Sequence, residues 1–240
     1  MAETAPATEL PAEVRDRLAV ALDVDDLVVA SRLARELRPW FGVAKIGMEL
    51  FNATGPDSVI AIANIGYRIF LDLKLHDIPT TVRRAARVVA GLGASYVTLH
   101  AQGGVSMLQA GVEGLEEGAQ AAEMPVPVAL AVTILTSDGT APAHVLGDRV
   151  RLALEAGCGG LVCAASDIRE AKQLAPRLVA VVPGIRPAGA APDDQARIAT
   201  PEAALAAGAD LLVIGRSVTA ADSRVGAAAA IGQAIMGSSR

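Results

Sequence analysis

Eight short runs rich in Val, Ile, Leu and Ala recur along the 240 residues, and segments with helical spacing of apolar positions separate them. The runs are RLAVALD (17–23), GVAKIG (42–47), YRIFLDLKL (67–75), SYVTLH (95–100), PVALAVTIL (127–135), GGLVCAA (159–165), LVAVVPGI (178–185) and ADLLVIGR (209–216). Between them lie DDLVVASRLARELRPW, TVRRAARVVAGLG, DRVRLALEAG, SDIREAKQLAPR and TPEAALAAG, several opening on Ser, Thr or Asp and several closing on Gly. Eight strand-helix units with no break in composition predict a single-domain (β/α)8 TIM barrel over residues 14–240. A last helix near 222–236 closes it, and residues 1–13 form a flexible tail. A doubly wound open sheet is the alternative, but no GxGxxG follows the first run and no P-loop or interdomain linker is present.

Aromatic residues make up only 2% of a chain that is 52% hydrophobic, so small and branched aliphatic side chains must build the core. The net charge of −5, with no basic run and few rings for stacking, argues against a nucleic-acid surface and for a small-molecule partner. MAETAPATELPAE lacks a basic start and an apolar stretch, and VGAAAAIGQAIMG is too short to span a bilayer. A cytoplasmic protein without membrane association is expected. Cys158 and Cys163, read as lying on one buried strand, fall on opposite faces and cannot bridge each other, so two inert thiols are expected.

In such a barrel the chemistry sits at the C-terminal ends of the strands. Those ends carry Asp23, Lys45, Asp72 and Lys74, with Asp77 just beyond and Gly215 and Arg216 at the eighth run. Alternation puts Leu71, Leu73 and Leu75 on one face of the third run, and Asp72 and Lys74 on the other. Leucines toward the helices place the charges in the barrel mouth. The same alternation sets Ala19 and Ala21 beneath Asp23, and Val43 beneath Lys45.

The chain holds 18 Arg but only three Lys, namely Lys45, Lys74 and Lys172. A lysine on a strand of a chain that otherwise uses Arg suggests a need for a compact ammonium able to give up a proton. Lys172, on a surface helix, reads as solvated. Asp72 and Lys74 alone could be a structural ion pair, which stabilises little. The five charges together read as a catalytic cluster.

A second constellation, Arg186 in VVPGIRP with Gly215 and Arg216 in VIGRS, occupies the loops after the seventh and eighth runs, where barrels of this class often bind phosphate. The irregular stretch 184–199 between them has the length of a lid.

The pieces ALD (21–23), AKIG (44–47), FLDLKLHDIPTT (70–81), VTILTS (132–137), PGIRP (183–187), DDQARIATP (193–201) and IGRSVT (214–219) occur in an order and at spacings that closely resemble the bacterial orotidine 5′-phosphate decarboxylase family. DLKLHDIP is the most specific of them. The resemblance implies decarboxylation of orotidine 5′-phosphate to UMP and CO2 in pyrimidine biosynthesis, with no metal and no organic cofactor. It also implies a homodimer with active sites shared across the interface. Lys45, Asp72 and Lys74 would come from one protomer, and Asp77, Ile78 and Thr81 would reach into the other's site. Asp23 would hold the ribose hydroxyls, and Thr136 would contact the pyrimidine amide. Arg186, Gln195, Gly215 and Arg216 would surround the phosphate, with the 184–195 loop closing over it.

Loss of CO2 leaves a carbanion on the ring, so a fixed cation must stand where the charge develops, and Lys74 is the candidate proton donor. The runner-up is a Mg²⁺-dependent sugar-phosphate enzyme similar to 3-keto-L-gulonate 6-phosphate decarboxylase. Those enzymes carry Glu where this chain has Lys45. A Schiff-base aldolase and a catalytically inert binding barrel are more distant readings. His76, His100 and His144 are left out of the site: the first follows the motif, the second caps the fourth run, and the third lies in a polar loop.

Overall fold

The computed structural model describes residues 9–187 and 197–238. Eight parallel strands close into a barrel in sequence order: β1 (Leu18–Ala21), β2 (Val43–Gly47), β3 (Arg68–Leu75), β4 (Tyr96–His100), β5 (Val128–Val132), β6 (Gly160–Val162), β7 (Val179–Val182) and β8 (Leu211–Ile214). β8 pairs back onto β1 through Ala19 and Val213, which leaves no sheet edge to protect. Each strand falls within one of the eight runs, and the final helix, Arg224–Ser238, falls close to its expected position. No helix among the described residues is long and apolar enough to cross a membrane.

Two apolar layers follow from the period-2 alternation of the strands. Inside the barrel Ala19, Ala21, Val43, Phe70, Leu130, Val181, Leu211 and Val213 pack together. Outside it Val20, Ala44, Ile69, Leu71, Val97 and Leu99 pack under the helices. The inner layer is thin because its members are mostly Ala and Val, so space remains at the mouth above it.

Local chemistry fixes the connections. Asp26 accepts from the Val29 amide at 2.8 Å and opens the helix Leu27–Leu37, while Thr200 does the same for Pro201–Ala207 through the Ala203 amide. Between β2 and β3 the chain forms two helices, Met48–Thr54 and Pro56–Ala63. They break at Gly55, whose φ of +59° suits glycine and which precedes a proline.

Part of the tail expected up to residue 13 packs against the barrel. Leu10 is 4% exposed, its amide donates to the Pro39 carbonyl, and it packs over Gly232. Burial of one leucine anchors the segment leading into a short helix, Ala12–Arg15.

β6 is only three residues long, so strand alternation does not extend to Cys158 and Cys163. Both sit in the outer layer rather than on opposite faces, free and buried. Burial pushes both thiols up to about 12, so neither ionises near neutral pH. Lys172 is not simply solvated either: its ammonium donates to the Leu178 carbonyl at 2.8 Å and to Asp210 at 2.6 Å. His144 begins the helix His144–Glu155 instead of lying in a loop.

Candidate active site

A cavity of about 490 Å³ opens at the C-terminal ends of the strands, with Ala21, Phe70, Val132, Val162 and Val213 forming its floor. That volume suits a small organic ligand. Asp23, Lys45, Asp72, Lys74, Thr136, Arg186, Gly215 and Arg216 all line it.

The charges alternate in sign. Lys45 donates to Asp23 Oδ1 at 2.8 Å and lies 3.8 Å from Asp72 Oδ2, while Lys74 donates to the other oxygen of Asp72 at 2.8 Å. Asp72 therefore sits between two ammonium groups. The Lys45 and Asp72 side chains are only 11% and 14% exposed, whereas that of Asp23 is half-exposed at the rim. At an effective dielectric near 20, each close contact of opposite charges is worth on the order of 4 kcal/mol, which offsets much of the burial cost of the ions.

Register explains why these side chains meet. Lys45 pairs with Ala21 on β1 and Phe70 on β3, and Gly47 pairs with Asp72. Gly47 leaves room beside the lysine: a Cβ there would lie 3.0 Å from Lys45 Nζ and 3.1 Å from Asp23 Oδ1.

Alternation correctly predicted the face of Lys74, yet the backbone reaches it by another route. The ladder between β3 and β4 pairs Leu71 with Val97 and then Leu75 with Leu99, so three residues of β3 bulge against one of β4. Lys74 sits in that bulge with φ +49°, the left-handed region that non-glycine residues avoid. Its amide donates to Thr98 Oγ1 at 2.8 Å, and the same hydroxyl lies 3.1 Å from Asp72 Oδ1. Sequence reasoning missed both Thr98 and Gly47. The signal for Thr98 was its parity with Tyr96 and His100, which turns a hydroxyl into the barrel.

At the opposite side of the mouth, Arg186 is 5% exposed and Arg216 follows Gly215 at the end of β8. The Arg186 amide donates to the Ala199 carbonyl, so the two described ends of the 184–199 stretch meet. Gln195 lies outside the described residues.

Asp77, Ile78 and Thr81 are not brought into the cavity. All three are exposed, Ile78 at 66%, and Asp77 accepts from the Ile78 amide at 2.7 Å. His76 stacks on His100 with centroids 5.3 Å apart, and His100 Nδ1 accepts from the Gln102 amide just beyond β4. Among the described residues no three His, Cys, Asp or Glu side chains gather as metal ligands.

The sequence matches the model of the Orotidine 5′-phosphate decarboxylase / HUMPS family over residues 16–231. The chain belongs to this family. Among its relatives, orotidine 5′-phosphate decarboxylase of Moorella thermoacetica is 44% identical over 90% of this chain and 91% of its own length. The enzyme of the same name from Thermobifida fusca is 46% identical over 89% of this chain and 93% of its own. Solved structures agree. Orotidine 5′-phosphate decarboxylase from Lactobacillus acidophilus superposes with a TM-score of 0.72 at 33% identity, covering 91% of this chain and 98% of that one. Its counterpart from Pyrococcus horikoshii gives 0.73 at 26% identity, covering 91% and 99%.

Proposed function

We propose that this protein decarboxylates orotidine 5′-phosphate to UMP and CO2 as a step of pyrimidine biosynthesis, without a metal or organic cofactor, and that Lys74 delivers the proton. The observation that carries the reading is the Lys45–Asp72–Lys74 array, largely shielded from solvent in the lining of a cavity of about 490 Å³. The bond from the ring to the carboxylate breaks, its electron pair stays on the ring carbon, and CO2 departs. The Lys74 ammonium then gives its proton to that carbon and becomes an amine, which solvent reprotonates.

Asp72 accepts from the Lys74 ammonium at 2.8 Å and holds its direction before reaction. Because the cation is in place before the carbanion forms, no reorganisation is required in the transition state. Asp72 also stands where the departing carboxylate would crowd it, which disfavours the bound ground state. Arg186, Arg216, the Gly215 amide and Gln195 take the phosphate. Binding there supplies energy for steps at the ring. Asp23 takes the ribose hydroxyls and Thr136 the pyrimidine amide.

The Mg²⁺-dependent sugar-phosphate alternative is disfavoured by Lys45, whose ammonium already lies between Asp23 and Asp72 and would repel a divalent cation. The active unit is a homodimer in which Asp77, Ile78 and Thr81 of each protomer complete the other's cavity. Their exposure, so close in sequence to Lys74, supports this.

Mixing purified protein with orotidine 5′-phosphate and following the loss of orotate absorbance, with and without EDTA, tests the reading. The expected result is equal turnover in both and none with Lys74→Ala. Turnover abolished by EDTA and restored by Mg²⁺ would favour the rival.

A further inference from the structure

Thr98 stands at the middle of β4 with 0% exposure, on the interior face it shares with Tyr96 and His100, while Val97 and Leu99 face the outer layer. A buried hydroxyl requires partners. Thr98 finds all of its partners on the facing part of β3. Its Oγ1 accepts the Lys74 amide at 2.8 Å and lies 3.1 Å from Asp72 Oδ1, with the Leu71 carbonyl at the outer limit of 3.5 Å.

A hydroxyl has one proton and two lone pairs, so it can accept from the Lys74 amide while donating to the Asp72 carboxylate. Both contacts fall on the stretch where the β3–β4 ladder is interrupted, between the pairs Leu71–Val97 and Leu75–Leu99. The bulge deprives the Lys74 amide of a backbone acceptor across the ladder, and the Thr98 side chain supplies one. It does so at a residue whose φ of +49° needs support from its surroundings. The same hydroxyl steadies the carboxylate that pairs with the Lys74 ammonium, so one side chain fixes the lysine at its backbone and, through Asp72, at its charged end.

We infer that Thr98 is a positioning residue for the decarboxylation: its hydroxyl holds the β3 bulge that aims Lys74 and Asp72 at the same point of the cavity. The inference rests on the proposal that Lys74 is the proton donor. It predicts an effect on turnover rather than on substrate affinity, because the groups proposed to hold phosphate and ribose lie on other strands.

The test measures kcat and KM for Thr98→Val, Thr98→Ala and Thr98→Ser beside Lys74→Ala, with thermal unfolding to establish that each variant is folded. Removing the hydroxyl should lower kcat by about 10- to 100-fold, the scale of a small misplacement of a reacting group, with KM held within about threefold. Thr98→Ser should return kcat to within about threefold of the parent, since it restores the hydroxyl without the methyl group. If Thr98→Val does not fold, the Ala and Ser pair decides. An unchanged kcat in Thr98→Val or Thr98→Ala, or a Ser variant as slow as those two, overturns the inference. Lys74→Ala separates the two levels: an inactive Lys74→Ala beside a fully active Thr98→Ala removes the role of Thr98 alone. A fully active Lys74→Ala removes the proton-donor proposal and the role of Thr98 with it.

Discussion

Gly47 and Lys45 lie two residues apart on β2, and the missing side chain of the first makes room for the ammonium of the second. A Cβ on Gly47 would stand 3.0 Å from Lys45 Nζ. Gly47→Ala should therefore push the lysine off its pair with Asp23 and lower kcat/KM by about tenfold or more, the loss expected when a positioned charge moves by a fraction of an ångström. The fold should survive, since Gly47 has an extended φ of −88° that alanine adopts readily. Steady-state kinetics with a melting curve checks both halves.

The proposed sharing of sites can be tested by complementation. Lys74→Ala and Asp77→Ala proteins should each be nearly inactive. Mixed and allowed to exchange subunits, they should regain about a quarter of parental activity, because half of the dimers are hybrids and each hybrid has one intact site. Activity that stays at the level of the separate variants after proven exchange would place Asp77 outside the partner's site.

Stability should fall with acid on account of His100. Burial, reinforced by Arg149, His76 and Lys74, pushes this imidazole down to about 4, against about 6.5 in an unfolded chain. Between those values the unfolded state binds a proton that the folded state refuses. Stability held above about pH 6.5 is then lost as pH drops toward 4. Melting temperatures from pH 7 to 4.5 should decline less steeply in His100→Asn, which keeps an acceptor for the Gln102 amide. Equal slopes would remove His100 as a cause.

Most of the architecture was readable because each strand carries its own signal. Alternating Ala, Val and charge along 19–23 and 43–45 assigned the interior face of each segment without any knowledge of pairing. What stayed hidden depends on contacts between strands. The bulge at Lys74 arises from the register of β3 against β4, and period-2 counting gave the right face for a backbone that is no longer regular there. Thr98 reads as an ordinary strand threonine until its hydroxyl is seen against Asp72. Lys172 looked solvated because Asp210, its partner, is 38 residues away in sequence. Ile78 and Thr81 came from the motif alone and Asp77 also from its place beside the charge cluster, and one chain gives none of the three a target.

Arg216→Ala should weaken binding through the phosphate and leave the ring chemistry intact. Loss of a charge-assisted contact of this type costs about 10- to 100-fold in affinity. UMP and uridine, compared as competitive inhibitors, provide the readout. The parent should prefer UMP strongly, and the variant should lose most of that preference while uridine binds as before. A uridine affinity that falls in parallel would assign Arg216 to the nucleoside instead.

Arg197 joins three pieces of the mouth. It donates to Asp167 Oδ2 at 2.7 Å in the turn after β6, and to the carbonyls of Leu135 at 3.0 Å and Ile134 at 3.3 Å, just before Thr136. The two side chains of the pair are 20% and 12% exposed, so stripping the guanidinium leaves a largely buried carboxylate without its cation. Arg197→Met should cost about 2 kcal/mol, below the range for a fully buried pair, and lower the melting temperature by about 4 to 8 °C in a chain of this size. Asp167→Asn keeps oxygen and size, so its loss should be smaller. Because the same arginine steadies the loop that carries Thr136, Arg197→Met should also raise KM more than it lowers kcat. Scanning calorimetry and steady-state kinetics on the two variants check this, and an unchanged KM beside a lowered melting temperature would confine Arg197 to stability.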